Sequence, residues 1–160
     1  MSNNVALFAD VSSLYNCVNK KYDKRKLDYQ KLLKLVDGNL YRSYAYGVIL
    51  NDDTNKFISC LRHYGFETFF VDNPKYRIDW NLTIAVDVFR LIDRVDTVIL
   101  CSASVNLYPL ITWIREKSVK VIIQACHIPV SLKRCANGWI EMDEKYLEKL
   151  DNDVTSTTAE

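Results

Sequence analysis

The sequence predicts an α/β fold, a mainly parallel sheet of five or six strands with helices packed on both faces. Two observations carry this. First, short apolar, β-branched runs alternate along the chain with segments whose apolar residues recur at helical spacing, the pattern of right-handed strand–helix–strand units. Second, the stretch from Val98 to Ile111 (VILCSASVNLYPLI) passes from an apolar run through small polar residues into a helical pattern with an early proline. A parallel strand delivers a site to the carboxyl edge of an open sheet in this way.

Taken in order, Val5 to Ala9 is a buried-strand candidate that ends at Asp10. Leu14 and Val18 begin a helical spacing, which the basic cluster Lys20, Lys21, Lys24, Arg25 and Lys26 interrupts. Tyr29, Leu32, Leu33 and Val36 form a helix stripe, with Asp28 as cap and Gly38 as stop. Tyr41 to Leu50 is aromatic and β-branched and reads as a strand. Asp53 or Thr54 is expected to cap a helix whose inner face is Phe57, Ile58, Leu61 and Tyr64, ended by Gly65. Phe66 to Val71 is the third strand, followed by a loop at residues 72–75. From Trp80 to Ile92 the apolar residues form a broad helical face, and Asp96 to Cys101 is the fourth strand. Pro109 to Glu116 is a helix and Val119 to Gln124 a fifth strand. Ile128 to Ala136 reads as a short helix, Trp139 to Met142 as a sixth, edge strand, and Asp143 caps a last helix through Leu150.

With 160 residues and 49% hydrophobic content, the chain is expected to form a single domain over residues 1–150. Residues 151–160 show no apolar pattern and are expected to be a disordered tail. A net charge of +1 gives no global basic field, so any nucleic-acid binding must be local. The five cysteines show no CxxC spacing, and with two histidines they argue against a zinc site. Cys101 and Cys126 fall in apolar runs, where a free thiol packs as a small core residue. No stretch reads as a signal peptide or membrane span, so the expectation is a soluble, cytoplasmic protein without membrane contact.

Three polar clusters should gather at the carboxyl ends of the strands. They are Asp10 with Ser12 and Ser13, then Asp79-Trp80-Asn81 with Asp87 further along the same helix, then Ser102, Ser104 and Asn106. A carboxylate ending one strand and another on a facing helix can hold Mg²⁺ when phosphates and water complete the shell. Asp79 and Asp87 stand roughly 12 Å apart along an ideal helix, so Asp10 and Asp87 are the expected facing pair and Asp79 is peripheral. Each residue also has a plainer role. Asp10 and Asp79 are good helix caps, Asp87 can be solvated on the outer face, and Ser102 and Ser104 can satisfy helix-opening amides. A serine hydrolase is not indicated, since there is no Gly-x-Ser-x-Gly elbow.

These segments resemble the NYN domain, the LabA-like branch of the PIN-like nuclease superfamily, to about Leu150. The opening VALFADVSSLY is similar to the family's hydrophobic strand followed by Asp-x-x-Asn-Leu, and FISCLRHYGF to its F-x-x-x-L-R-x-x-G-F helix end. Asp79 to Asp87 is similar to DWDxxIAVDA, Ser102 to Ile111 to SGDxDFxPLI, and Leu132 to Ile140 to the closing L-x-x-x-A-D-x-F-I. The resemblance implies a three-layer α/β/α sandwich and Mg²⁺- or Mn²⁺-dependent endoribonuclease chemistry. The implied catalytic residues are Asp10 and Asp87 with Asp79, the metal ligands Asp10, Asp87 and Asn106.

The departures from that pattern are concentrated. Aspartates of the family correspond here to Asn81, Ser104, Asn106 and Asn137, its asparagine to Ser13, and its glycine to Ala103. Losing one unit charge from a pair at 4 Å removes about 4 kcal/mol at an effective dielectric of 20. Two readings follow. One is a non-catalytic module that keeps the cleft for single-stranded RNA or a protein partner; the other is a weakened Mg²⁺/Mn²⁺-dependent endoribonuclease. Ser12, Ser13, Asn81, Ser102 and Ser104 would line the cleft. Lys20, Lys21, Lys24 and Arg25 are candidate phosphate contacts or a solvated loop, and Tyr15, Tyr76, Trp80 and Tyr108 candidate stacking rings or packing residues. A third reading is a homo-oligomer or scaffold.

Overall fold

The computed structural model describes residues 2–72, 75 and 78–150. Asn73 and Pro74 of the expected loop, Tyr76 and the tail beyond Leu150 lie outside the described residues. The apolar runs become β1 (Asn4–Asp10), β2 (Asn39–Ile49), β3 (Glu67–Asp72), β4 (Thr97–Cys101), β5 (Lys120–Ala125) and β6 (Gly138–Glu141). They form one sheet in the order β3-β2-β1-β4-β5-β6, with every neighbouring pair parallel. Along β1, Val5, Leu7 and Ala9 join one core cluster while Ala6 and Phe8 join another. That two-sided burial is why the strand is continuously apolar rather than alternating.

The first cluster is closed by α1 (Val11–Lys21), α2 (Tyr29–Lys34) and α3 (Asp52–Tyr64). The second is closed by α4 (Trp80–Leu91), α5 (Tyr108–Glu116) and α6 (Val130–Cys135). The result is the expected three-layer α/β/α sandwich. The strand order reverses between β1 and β4, the crossing made by α4 from one side of the sheet to the other. No helix among the described residues is long and apolar enough to cross a membrane.

Caps explain the helix boundaries. Asp10, Asp28 and Asp79 each accept a backbone N–H in the first turn of α1, α2 and α4. For α3 the cap is Asn51, whose Oδ1 accepts the Thr54 N–H at 3.1 Å, rather than Asp53 or Thr54. Starting two residues earlier sets Asp52 and Asp53 in the first turn, where the helix dipole favours negative charge. Gly65 ends α3 at φ 112°, a conformation open to glycine.

The last predicted helix is a correction. Asp143 does cap, accepting the Lys145 N–H at 3.0 Å, but only a single 3-10 turn, Glu144–Tyr146, follows. Leu147 then forms an antiparallel bridge with Leu27, the Asp28 N–H donates to Tyr146 O, and the Glu148 N–H donates to Lys26 O, both at 2.8 Å. Burial of Tyr146 and Leu147 against the α1–α2 side outweighs local helix preference. Three basic side chains complete this strap. Lys21 Nζ donates to Cys126 O (3.4 Å) and Met142 O (3.5 Å), Arg25 Nη2 to Glu148 O (3.0 Å), and Lys31 Nζ to Leu147 O (3.1 Å).

Candidate functional site

At the reversal of strand order, the chain leaves β1 toward α1 and leaves β4 toward α5 on the opposite face, the position at which open α/β sheets form their crevice. Asp10 ends β1 there, half-buried, and its Oδ1 accepts the Ser13 N–H at 3.1 Å. The plain capping role is therefore real, whatever else the carboxylate does. Ser12 is exposed and Ser13 half-buried on the same turn.

Tyr46 is the register partner of Asp10 on β2, and it is fully buried. Its hydroxyl donates to Asp87 Oδ2 at 2.7 Å. On the helix turn after Asp87, Arg90 Nη1 lies 3.3 Å from the other oxygen, Oδ1. Asp87 is only 6% exposed, so it is neither solvated on the outer face nor open to the crevice. Its carboxylate is held on both oxygens by protein donors. Burial, the hydrogen bond to Asp87 and the charge of Asp87 all push the Tyr46 phenol well above the usual tyrosine range. Tyr46 thus remains a donor throughout the neutral range. Neither Tyr46 nor Arg90 was singled out by the sequence. The available signal was that an acid on the inner face of a helix needs a donor from the strand it packs against.

The neutral replacements form their own ladder. Asp79, exposed, accepts the Asn81 N–H at 2.9 Å. Asn81 Nδ2 donates to Ser104 Oγ at 3.0 Å, and the Ser104 N–H donates to Ser102 Oγ at 3.2 Å. These contacts tie the start of α4 to the turn after β4 without any charge. Asn81 Oδ1 is buried and has no hydrogen-bond partner among the described residues. Asn106 is exposed in the 3-10 turn Val105–Leu107. Ala103 is not among the described residues with positive φ, so replacing glycine there stores no left-handed strain.

The rim differs from expectation in two respects. Trp80 is 7% exposed, its ring 5.7 Å from that of Tyr46, so it is a core side chain rather than a stacking surface. Lys21 is engaged with the carbonyls of Cys126 and Met142 and Arg25 with that of Glu148, leaving Lys20 and Lys24 exposed from the basic candidates. Of the stacking candidates among the described residues, Tyr15 on α1 is 64% exposed and Tyr108 opening α5 is 52% exposed.

The donor set does not fit a divalent metal. Among the described residues no three His, Cys, Asp or Glu side chains gather in a metal-holding group. Asp87 is 6% exposed and already faces the Arg90 cation, which opposes a second positive charge there, and Asn81 and Ser104 supply no formal charge.

Comparison with known proteins accords with this architecture. The family model of the NYN domain matches residues 4–143. That family is PIN-like and nuclease-type, generally metal-dependent and RNA-binding. Among solved structures, a protein of unknown function from Vibrio parahaemolyticus superposes with a TM-score of 0.82 at 23% identity. The match covers 92% of this chain and 97% of that one, and at this identity it speaks for the fold. No curated protein matches the sequence.

Proposed function

The chain belongs to the NYN domain family, and from that premise we propose that it binds single-stranded RNA at the carboxyl edge of its sheet without cleaving it. The observation that carries the reading is the closure of Asp87 by Tyr46 and Arg90. A hydrogen bond to a buried charged group is worth about 1.5–3 kcal/mol, which holds the carboxylate toward Tyr46, and a metal cation would meet the Arg90 charge beside it. The replacement of acids by Asn81, Ser104 and Asn106 removes ligating charge, and it also removes repulsion against phosphate. Tyr15 and Tyr108 offer faces for unpaired bases, with Ser12 and Asn106 beside them as polar contacts. Lys20 and Lys24 offer phosphate contacts at the far end of α1.

The second reading, a weakened Mg²⁺- or Mn²⁺-dependent endoribonuclease using Asp10 and Asp87, has one observation in its favour. Asn81 Oδ1 is a buried oxygen beside Ser104 without a partner among the described residues. One experiment separates the two. Fluorescence anisotropy of a labelled single-stranded RNA should show binding that weakens steeply with salt, and the RNA should stay intact after incubation with Mg²⁺ or Mn²⁺. Mn²⁺-dependent cleavage that disappears in Asp10→Asn would replace the binding reading with the enzymatic one.

A further inference from the structure

Helix α4 is apolar on two sides, and the core accounts for only one of them. Trp80, Ile84, Val88 and Leu91 face inward and are buried. On the opposite side Leu82, Val86 and Phe89 are 74%, 39% and 50% exposed. Their spacing, four residues and then three, sets them in one stripe along the helix. Trp113 of α5 widens it, its ring 4.4 Å from that of Phe89 and edge-to-face. The solvent side of α3, by contrast, carries Lys56, Ser59, Arg62 and His63. A helix apolar all round belongs in an interior, and contiguous apolar surface on a soluble chain marks a contact face.

The charges bordering the stripe say what fits it. Asp79, exposed, caps α4 at one end, and Arg90, with a mostly exposed side chain, lies near the other. On an ideal helix they are about three turns and roughly 16 Å apart, and within about 20° of one another around the axis. Both therefore border the same edge of the stripe. When two copies of such a helix meet face to face and antiparallel, their two-fold axis keeps each edge opposite the same edge of the other copy. Asp79 of each copy then meets Arg90 of the other. In that register the three apolar side chains of one helix fall between those of the second. A parallel pairing would carry the charged edges to opposite sides and join neither. Arg90 can keep its 3.3 Å contact with Asp87 Oδ1, because a guanidinium has five N–H donors.

We propose that the outer face of α4 is the interface of a homodimer, two copies packed antiparallel through Leu82, Val86 and Phe89 and registered by reciprocal Asp79–Arg90 pairs. The apolar stripe supplies the attraction, and the exposed ion pairs fix direction and register more than they add affinity. The contact is isologous, so assembly closes at two chains.

The test needs no RNA and is independent of the reading above. Sedimentation equilibrium of the wild-type protein at rising concentration should show the mass climbing from 18.6 kDa toward twice that value. Leu82→Glu, at a position mostly in solvent, should hold the monomer mass throughout while keeping the wild-type thermal midpoint. Asp79→Arg and Arg90→Glu should each be monomeric alone. An equimolar mixture of the two should regain the dimer, because opposite charges then meet at both contacts. If either reversal does not fold, the Leu82→Glu comparison decides the matter. A wild-type chain that stays at monomer mass at every concentration would overturn the proposal and leave the face to a different partner. A dimer that survives Leu82→Glu would overturn it too, as would a mixture of the two folded reversals no heavier than its parts.

Discussion

Replacing Tyr46 by phenylalanine removes one atom and isolates the contact on which the reading of the crevice rests. The hydroxyl that donates to Asp87 at 2.7 Å disappears, and a carboxylate only 6% exposed keeps Arg90 as its remaining partner among the bonds described here. Leaving a buried charged acceptor short of a strong donor costs about 1.5–3 kcal/mol. Taking about 2 kcal/mol, the melting temperature of a chain this size should fall by about 4–8 °C. The pH dependence supplies a second check. Tyr46 is raised in the folded state, so its contribution is fully present below the ordinary tyrosine value of about 10 and is lost as pH rises above it. The wild-type advantage over Tyr46→Phe should therefore hold at neutral pH and then narrow by about 1.4 kcal/mol per unit above pH ~10. Urea unfolding of both proteins across that range measures it, and the difference removes the titration of the other tyrosines. Equal stability at neutral pH would show that the hydroxyl does not hold Asp87, and the closed-site reasoning would fail with it.

Two further outcomes are expected. Tyr15→Ala and Tyr108→Ala should each weaken binding of single-stranded RNA by about 1–3 kcal/mol while leaving the thermal midpoint unchanged, since both rings are exposed; unchanged anisotropy titrations in both would move recognition away from this edge. Gly47→Ala should lower stability by about 1–3 kcal/mol in denaturant unfolding, because the added carbon would lie 2.5 Å from Phe70 Cε1 in a filled core. A neutral result would mean that the Phe70 ring can yield.

The fold was legible because each level of the sequence agreed. Buried runs of five or six residues, helical stripes and Asp caps at positions 10, 28 and 79 all implied the same parallel sandwich. What stayed hidden depended on distant partners. Asp143 is a genuine cap, yet a helix after it lost to pairing with Leu27, which lies 120 positions earlier and is invisible to local pattern. Trp80 stood beside Asp79 in a polar-looking stretch, but its spacing to Ile84, Val88 and Leu91 places it on the buried face of α4. The position of Asp87 on that same inner side was readable in principle. Its donor was not, because a strand reading SYAYG gives no sign of which hydroxyl will meet a carboxylate 41 residues away.

The lysines and arginine between the end of α1 and α2 have a practical meaning for anyone mutating them. Lys21, Arg25 and Lys31 clasp main-chain oxygens of residues 126, 142, 147 and 148, so they act as rivets between two remote stretches of polypeptide. Neutralising these basic residues all at once would loosen that seam and weaken any ionic attraction together, and a drop in affinity could not be ascribed to either. Lys20 and Lys24 alone, free of such clasping, would report on attraction by itself.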